Sequence, residues 1–153
     1  MDHPTNKEFR SKTPIKHQTR IKQMIQYYEA PDIRERIENI INILKFDHVD
    51  LDNLRCIRSR GSKSRKTIAR IHGLGRIWQE ALSLNPVYII EVIHEKFDYY
   101  PPEAQDRTLI HELMHIPHTA KGGFRHHKNY VTDEKVDTWY KRYVQKCREQ
   151  DIN

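Results

Sequence analysis

The chain has 153 residues, of which 37% are hydrophobic and 31% charged, and its formal net charge at pH 7 is +6. This size predicts one domain over residues 15–150, preceded by a polar tail at residues 1–14 that we expect to be disordered. No apolar run approaches the length of about 18 residues that a membrane-spanning helix needs, and the first residues lack a signal peptide's apolar segment. We therefore expect a cytoplasmic protein with no membrane contact. In that compartment its two cysteines should be reduced, and we expect both to be buried.

Two amphipathic helices are predicted at the start of the domain. The first covers about residues 18–29, with Ile21, Met24, Ile25 and Tyr28 on one face. The second begins at Pro31 and places apolar residues at helical spacing, namely Ile33, Ile37, Ile40, Ile41 and Leu44. Residues 48–53 are predicted to form a turn or loop.

Alternating and β-branched residues predict a sheet in the middle of the chain. The predicted strands are residues 54–59, 67–72 and 87–93, of which the last is almost continuously apolar and therefore buried. Residues 76–82 could form a strand or a short helix, and a strand is preferred. The fold class predicted is α+β: N-terminal helices packing on a small, mainly antiparallel sheet, followed by two further helices.

A basic segment lies between Arg55 and Arg76. It holds eight Lys or Arg residues and no acidic residue, so it carries more positive charge than the whole chain. A solvated sheet face is the commoner explanation of such a run. The alternative is contact with nucleic acid or another polyanion, for which the candidate residues are Arg58, Arg60, Lys63, Arg65, Lys66 and Arg70.

The motif H-E-x-x-H occurs once, at residues 111–115. Pro101-Pro102-Glu103 predicts a helix start, Leu109, Leu113 and Ile116 give an apolar stripe, and Pro117 ends the run. On a helix His111 and His115 lie one turn apart on the same face, so both imidazoles can bind one ion. Two neutral imidazoles suit zinc, and this motif is the known signature of zinc metalloproteases.

Ordinary helix histidines are the competing interpretation, because the chain contains 10 histidines and chance matches come easily. The helical context favours a metal site. In that interpretation Glu112 is the general base, which takes a proton from a zinc-activated water attacking a peptide bond. Tyr130, Arg125 and His126 are candidate donors to the oxyanion, and the sequence does not rank them.

A third ligand is needed, and its candidates follow the Gly122-Gly123 turn. His126 and His127 are both available, and so are the acidic residues of the next predicted helix. Its apolar stripe, formed by Val136, Tyr140, Tyr143 and Cys147, leaves Glu134 pointing about 150° away. Asp133 and Asp137 flank the stripe and are candidates to orient a ligand histidine.

The stretch LIHELMHIPHTAKGGFRHHKNYVTDEKVD resembles the core of the small phage and archaeal metallopeptidases, which are zincin-like. The resemblance extends over roughly residues 31–145. It implies zinc, with His111, His115 and His127 as ligands and Glu112 as base, but no particular substrate. SprT-like zinc proteases are more distantly similar and share an H-x-x-aromatic form at their third ligand, matched here by His127 and Tyr130. Lys121 occupies the place of the third histidine of metzincins, which excludes that class.

Two functional hypotheses follow from these features. The first is a zinc metallopeptidase acting on a protein or peptide substrate. The second is a nucleic-acid- or polyanion-binding module with a structural or vestigial metal site. The sequence does not indicate the oligomeric state.

Overall fold

The computed structural model describes residues 24–119 and 122–151. The predicted tail at residues 1–14, and the part of the first predicted helix before residue 24, lie outside these ranges. The described residues are mixed helix and sheet, which confirms the α+β class. In chain order the elements are β1 (Gln26–Glu29), α1 (Pro31–Leu44), β2 (Leu54–Arg60), β3 (Ala69–Gly73), α2 (Arg76–Leu82), β4 (Tyr88–Ile93), α3 (His94–Phe97), α4 (Pro102–Met114) and α5 (Asp133–Asp151).

The four strands form one sheet in the order β1-β2-β4-β3. The outer pairs, β1 with β2 and β3 with β4, are antiparallel, whereas β2 and β4 are parallel. The sheet is therefore mainly antiparallel, as predicted. Strand β3 is an edge strand, and α4 packs beside it.

The core lies between one face of the sheet and helices α1 and α4. Helix α1 buries the predicted stripe from Ile33 to Leu44, because its apolar residues recur every three or four positions. The sheet contributes Ile90 and Val92, and α4 contributes Leu109 and Leu113, all fully buried. Helix α5 packs against both α1 and α4.

The first predicted helix is wrong over its described part. Residues Gln26–Glu29 form strand β1, and Tyr28 pairs with Arg58 of β2. The helical spacing of Ile25 and Tyr28 suggested a buried face, yet all four strand residues are exposed. Pairing with β2 decides the conformation, because it satisfies the backbone of a segment whose aromatic residues favour extended structure.

The segment Arg76–Leu82 forms helix α2, so the preferred prediction of a strand is wrong and the alternative of a short helix is confirmed. Strand β3 already pairs with β4, so the residues between them serve as their connection. Gly75 caps the helix start, and Ser83 ends it in the left-handed conformation. Ile77 and Trp78 are exposed.

The cysteine prediction holds for Cys56, which is buried, but Cys147 is only partly buried. Both are free thiols. Tyr140 and Tyr143, expected in the same buried stripe of α5 as Cys147, are also partly exposed, and Val136 alone of that stripe is fully buried. None of the helices in residues 24–119 and 122–151 combines the length and apolarity that a bilayer crossing requires.

Candidate metal centre

Helix α4 carries the H-E-x-x-H motif in its last turn. The helix begins as predicted, with Pro102 at its first position and Glu103 in its first turn. Leu109, Ile110 and Leu113 are completely buried. These anchors fix the rotation of the helix, and they leave His111 and His115 on its cleft side.

Three histidine nitrogens converge beside α4. Nε2 of His111 lies 3.2 Å from Nε2 of His115 and 3.2 Å from Nε2 of His127. At Zn–N distances of about 2.0–2.1 Å, tetrahedral angles place two ligand nitrogens roughly 3.3 Å apart. The three side chains therefore match the spacing of a metal site and could hold an ion.

The loop after the Gly122-Gly123 turn clamps His115. The backbone N–H of Arg125 donates to the His115 carbonyl at 2.8 Å. In return Nδ1 of the His115 ring lies 2.7 Å from the Arg125 carbonyl oxygen and donates to it. With its proton on Nδ1, the ring keeps the Nε2 lone pair for a metal.

The environment favours the neutral form of His111 and His115. Burial, together with the neighbouring charges of His115 and His127, lowers the pKa of His111 to about 4. Burial also lowers the pKa of His115, although its bond to the Arg125 carbonyl acts in the opposite direction. Neutral imidazole is the form that binds a metal ion.

Glu112 is 7% exposed and faces the same cleft. Burial raises the pKa of its carboxyl to about 7, and a hydrogen bond from the backbone N–H of Ile71 in β3 partly opposes that rise. Glu112 therefore lies between the convergent histidines and the edge strand.

The free edge of β3 faces this cleft. The amide of Leu74 donates to the Val87 carbonyl, and the amide of Ile93 donates to the Ile68 carbonyl. Bonded and non-bonded pairs alternate in an antiparallel ladder, so the N–H and C=O groups of Ala69 and Ile71 point away from β4. An extended chain can pair with these groups, except for the Ile71 N–H, which already donates to Glu112.

Two cavities line the cleft and share His111 and Glu112. The Lys66 cavity, of about 450 Å³, extends between the start of β3 and the helices. The Phe124 cavity, of about 500 Å³, extends toward Arg125 and His126. The histidine cluster thus lies at the middle of an elongated groove.

The remaining candidates have separate positions. His126 lines the Phe124 cavity but does not join the convergent histidines. The guanidinium of Arg125 lies over the Tyr130 ring, 4.8 Å from its centroid. Asp133 lines the Lys66 cavity, and its charge acts on His111. Asp137, expected to orient a histidine, instead pairs with Arg107 at 2.8 Å and with Lys141 at 2.7 Å.

The six basic candidates divide into two groups. Arg58 pairs with Asp32 at 2.7 Å and with Asp98 at 3.0 Å, and Arg70 pairs with Glu91 at 2.9 Å. These ion pairs were not predicted, and they neutralise the charges of two of the six residues proposed to bind a polyanion. The other four, Arg60, Lys63, Arg65 and Lys66, are exposed and form no ion pair within the described ranges.

Sequence reasoning missed three polar groups. Two belong to the site itself, the Arg125 carbonyl and the Ile71 amide; the third, Glu91, lies outside it, on the sheet face opposite the core, where it contacts Arg70 and His72. Backbone groups have no residue signature, so the Gly-Gly turn was the only available hint for the first. Glu91 stands within an apolar strand, and a charged residue at such a position indicates a buried polar contact.

Comparison with known proteins gave one match. A family model described as "Putative phage metallopeptidase" matches residues 25–152. Neither the curated proteins nor the solved structures gave a match.

Proposed function

The chain belongs to the phage metallopeptidase family, and from that premise we propose that it is a zinc-dependent peptidase with Glu112 as its general base. The observation that carries the proposal is the convergence of three Nε2 atoms beside a buried carboxylate. Burial favours the neutral, metal-binding form of two of these imidazoles, those of His111 and His115.

The donor set favours zinc. A catalytic zinc ion binds three protein ligands, which can all be imidazole nitrogens, and keeps a fourth position open, whereas magnesium and calcium prefer oxygen ligands. His111, His115 and His127 would hold the ion. When bound, it would supply a Lewis acid that polarises the scissile carbonyl and makes water more acidic.

The substrate is proposed to lie along β3 in extended form. The outward N–H and C=O of Ala69 and the outward C=O of Ile71 would pair with its backbone, as in the addition of a strand to a sheet, while the Ile71 N–H stays bonded to Glu112. Such pairing places the peptide between the edge strand and α4. Because the pairing uses main-chain groups, it holds many sequences and leaves selectivity to the side chains that line the groove.

Glu112 is proposed to move the proton. Its carboxylate accepts a proton from the attacking water, which then bonds to the carbonyl carbon. When the C–N bond breaks, Glu112 returns that proton to the leaving nitrogen. Its contact with the Ile71 amide keeps the carboxylate next to the place where the peptide backbone would pair.

Arg125 and His126 are the proposed donors to the oxyanion, because both line the Phe124 cavity beside the histidines. Tyr130 is not proposed for this role. It is not among the residues lining that cavity, and its ring faces Arg125 and Lys135.

The test uses protein purified without a histidine tag. Wild type reconstituted with zinc should contain one ion per chain and cleave casein or a mixed peptide library, whereas Glu112→Gln should retain zinc and lose cleavage. Glu80→Gln provides a matched control, because this glutamate is 74% exposed and lies outside both cavities. Equal cleavage by wild type and Glu112→Gln would refute the general base, and wild type without stoichiometric zinc would refute the metal site.

A further inference from the structure

Both ends of the cleft carry charged side chains. The Phe124 cavity is lined by an aromatic ring, by groups proposed for the metal site and by two arginines, of which Arg70 pairs with Glu91 and Arg125 lies over the Tyr130 ring. The Lys66 cavity has small and apolar walls, formed by Ile68, Ala69, Thr108 and Val136, and it is also lined by the cations Lys66 and Arg107 and by the acids Glu112 and Asp133. A cation of this cavity that has no carboxylate partner is available to interact with a substrate.

Arg107 is already engaged. Its guanidinium lies 2.8 Å from Asp137 and 3.4 Å from Glu103, and it stacks on the Tyr140 ring at 4.3 Å. Two carboxylates therefore compensate its charge. Lys66 lines the same cavity, is exposed, and has no carboxylate partner in the described part of the chain.

Lys66 belongs to a basic loop, which we define as residues 61–66 between β2 and β3. The loop contains three cations, Lys63, Arg65 and Lys66, and no acid. Unlike Arg58 and Arg70 on the flanking strands, these three form no ion pair in the described ranges. Arg60, the last residue of β2, lies over the Tyr28 ring of β1, and its charge acts on Glu95.

The backbone of the basic loop is fixed. Ser62 Oγ accepts from the amide of Ser64, and Ser64 Oγ accepts from the amide of Thr67, both at 3.2 Å. Glu95 of α3 accepts from the amide of Gly61, and the Lys96 ammonium donates to the Arg65 carbonyl. The cations therefore extend from a held backbone at one end of the groove, and binding a substrate need not order the loop.

We propose that the Lys66 cavity and the adjoining basic loop select substrates with acidic side chains on the side of the scissile bond that lies over the start of β3. This inference rests on the proposed peptidase function and names its substrate class. Peptide backbone paired with Ala69 brings alternate side chains toward the cavity, where Lys66 can meet a carboxylate. Acidic residues further along the peptide would meet the other loop cations.

Asp133 restricts where that acid can bind. It stands at the first turn of α5, among the residues that line the same cavity. A carboxylate against α5 would be repelled, so the acid binds on the β3 wall beside Lys66. Replacing Asp133 with Asn should therefore strengthen the preference for acid, whereas replacing Lys66 should weaken it.

Binding to the Glu112→Gln variant tests the proposal without turnover. Three fluorescent decapeptides are titrated at low salt. They are identical except at three positions on one side of the centre, which are all Glu, all Gln or all Lys. A second set of three peptides carries the same changes on the other side of the centre. The Glu peptide should bind about three- to fivefold more tightly than the Gln peptide for each acid that reaches a cation. Lys66→Gln should reduce that ratio, and Lys66→Glu should reverse it. Lys45→Gln, at an exposed lysine outside the cavity, should leave it unchanged.

The outcomes separate this inference from the peptidase function. Equal binding of the three peptides, or a preference that Lys66→Gln leaves intact, overturns the substrate class even if wild type cleaves all of them. A nucleic-acid surface is the other explanation of the loop. Two results together would favour the nucleic-acid surface and overturn the proposal. Duplex DNA would bind with a salt-dependent affinity that the triple change Lys63→Gln, Arg65→Gln and Lys66→Gln abolishes, and the peptides would show no preference for acidic residues.

Discussion

The main chain of Arg125 is hydrogen-bonded to His115 at two points: its N–H donates to the His115 carbonyl, and its carbonyl accepts from the His115 ring. The first bond ties the loop to the end of α4. The second fixes the tautomer and orientation of the ring. Because both bonds use the backbone of Arg125, the metal site should depend on the path of the loop and not on the Arg125 side chain.

The Gly122-Gly123 turn sets that path, and Gly123→Ala should disturb it. Gly123 has φ +88°, a left-handed conformation that alanine adopts only with strain, and an added Cβ would meet no atom within 4 Å. The expected cost is about 1 kcal/mol, or a fall in Tm of about 3 °C. Zinc affinity should fall about tenfold, as for the loss of a bond that orients a ligand.

Arg125→Ala is the matched comparison for Gly123→Ala. It keeps both backbone bonds to His115, so zinc affinity, measured by competition with a chromophoric chelator, should stay within about twofold of wild type. Cleavage can still fall through loss of the proposed oxyanion donor. A larger loss of zinc affinity in Arg125→Ala than in Gly123→Ala would contradict the backbone explanation.

The choice between His126 and His127 gives a second prediction. His127→Ala should lower zinc affinity by more than the roughly 10–100-fold that an outer hydrogen bond contributes, because it removes a convergent nitrogen. His126→Ala should retain the ion, since its ring is outside the convergent group. Elemental analysis after dialysis measures both variants, and retention by His127→Ala with loss by His126→Ala would reverse the assignment.

Removal of the metal should lower thermal stability. An ion that binds only the folded chain adds about 2.7 kcal/mol at one hundred times its Kd, which for a chain of this size corresponds to roughly 8 °C in Tm. Scans with zinc and with chelator should show that difference for wild type and for Glu112→Gln. The difference should vanish for His111→Ala, and its persistence there would place the stabilising ion elsewhere.

The fold was predictable where a buried stripe is long. Helix α1 and strand β4 carry repeated apolar residues, so their spacing alone identified them. Strand β1 and helix α2 are short and exposed, and neighbouring strands decide their conformation. A local pattern contains no information about which strand a segment will meet, and this is why those two predictions failed.

The site was predictable where the chemistry follows from sequence spacing. His111 and His115 lie one turn apart, so any helix brings them together. The position of His127 depends on the path of the loop from residue 122 onward. The residue types in that loop restrict its path but do not determine it. The roles of carboxylates were harder to predict. Asp137 flanks the expected face of α5, but it forms ion pairs with Arg107 and Lys141. A helical projection does not show which cation a carboxylate will reach.

Glu91 gives a prediction about stability and pH. Its side chain is 5% exposed and lies 2.7 Å from His72 and 2.9 Å from Arg70, on the sheet face opposite the core. Burial alone would raise the pKa of this carboxyl, but the nearby Ser59 hydroxyl, the hydrogen bond from His72 and the charge of Arg70 outweigh burial and lower the pKa below its ordinary value of 4.5. The carboxylate therefore stabilises the folded chain above about pH 4.5, and that stabilisation is lost as the pH falls through the lowered pKa.

Glu91→Gln should accordingly destabilise the protein at pH 7 by roughly 1–3 kcal/mol, because the partners of a buried charge lose their acceptor. In urea unfolding at successively lower pH the difference from wild type should shrink, because wild type loses the charge of Glu91 as the pH falls through its lowered pKa. Other titrating groups cancel in the comparison, since both proteins contain them. Glu80→Gln is the control: Glu80 is 74% exposed and 3.7 Å from Arg76, so its replacement should change stability little at any pH. A difference between Glu91→Gln and wild type that does not shrink at any acidic pH where wild type remains folded would show that the charge of Glu91 does not hold β3 against β4.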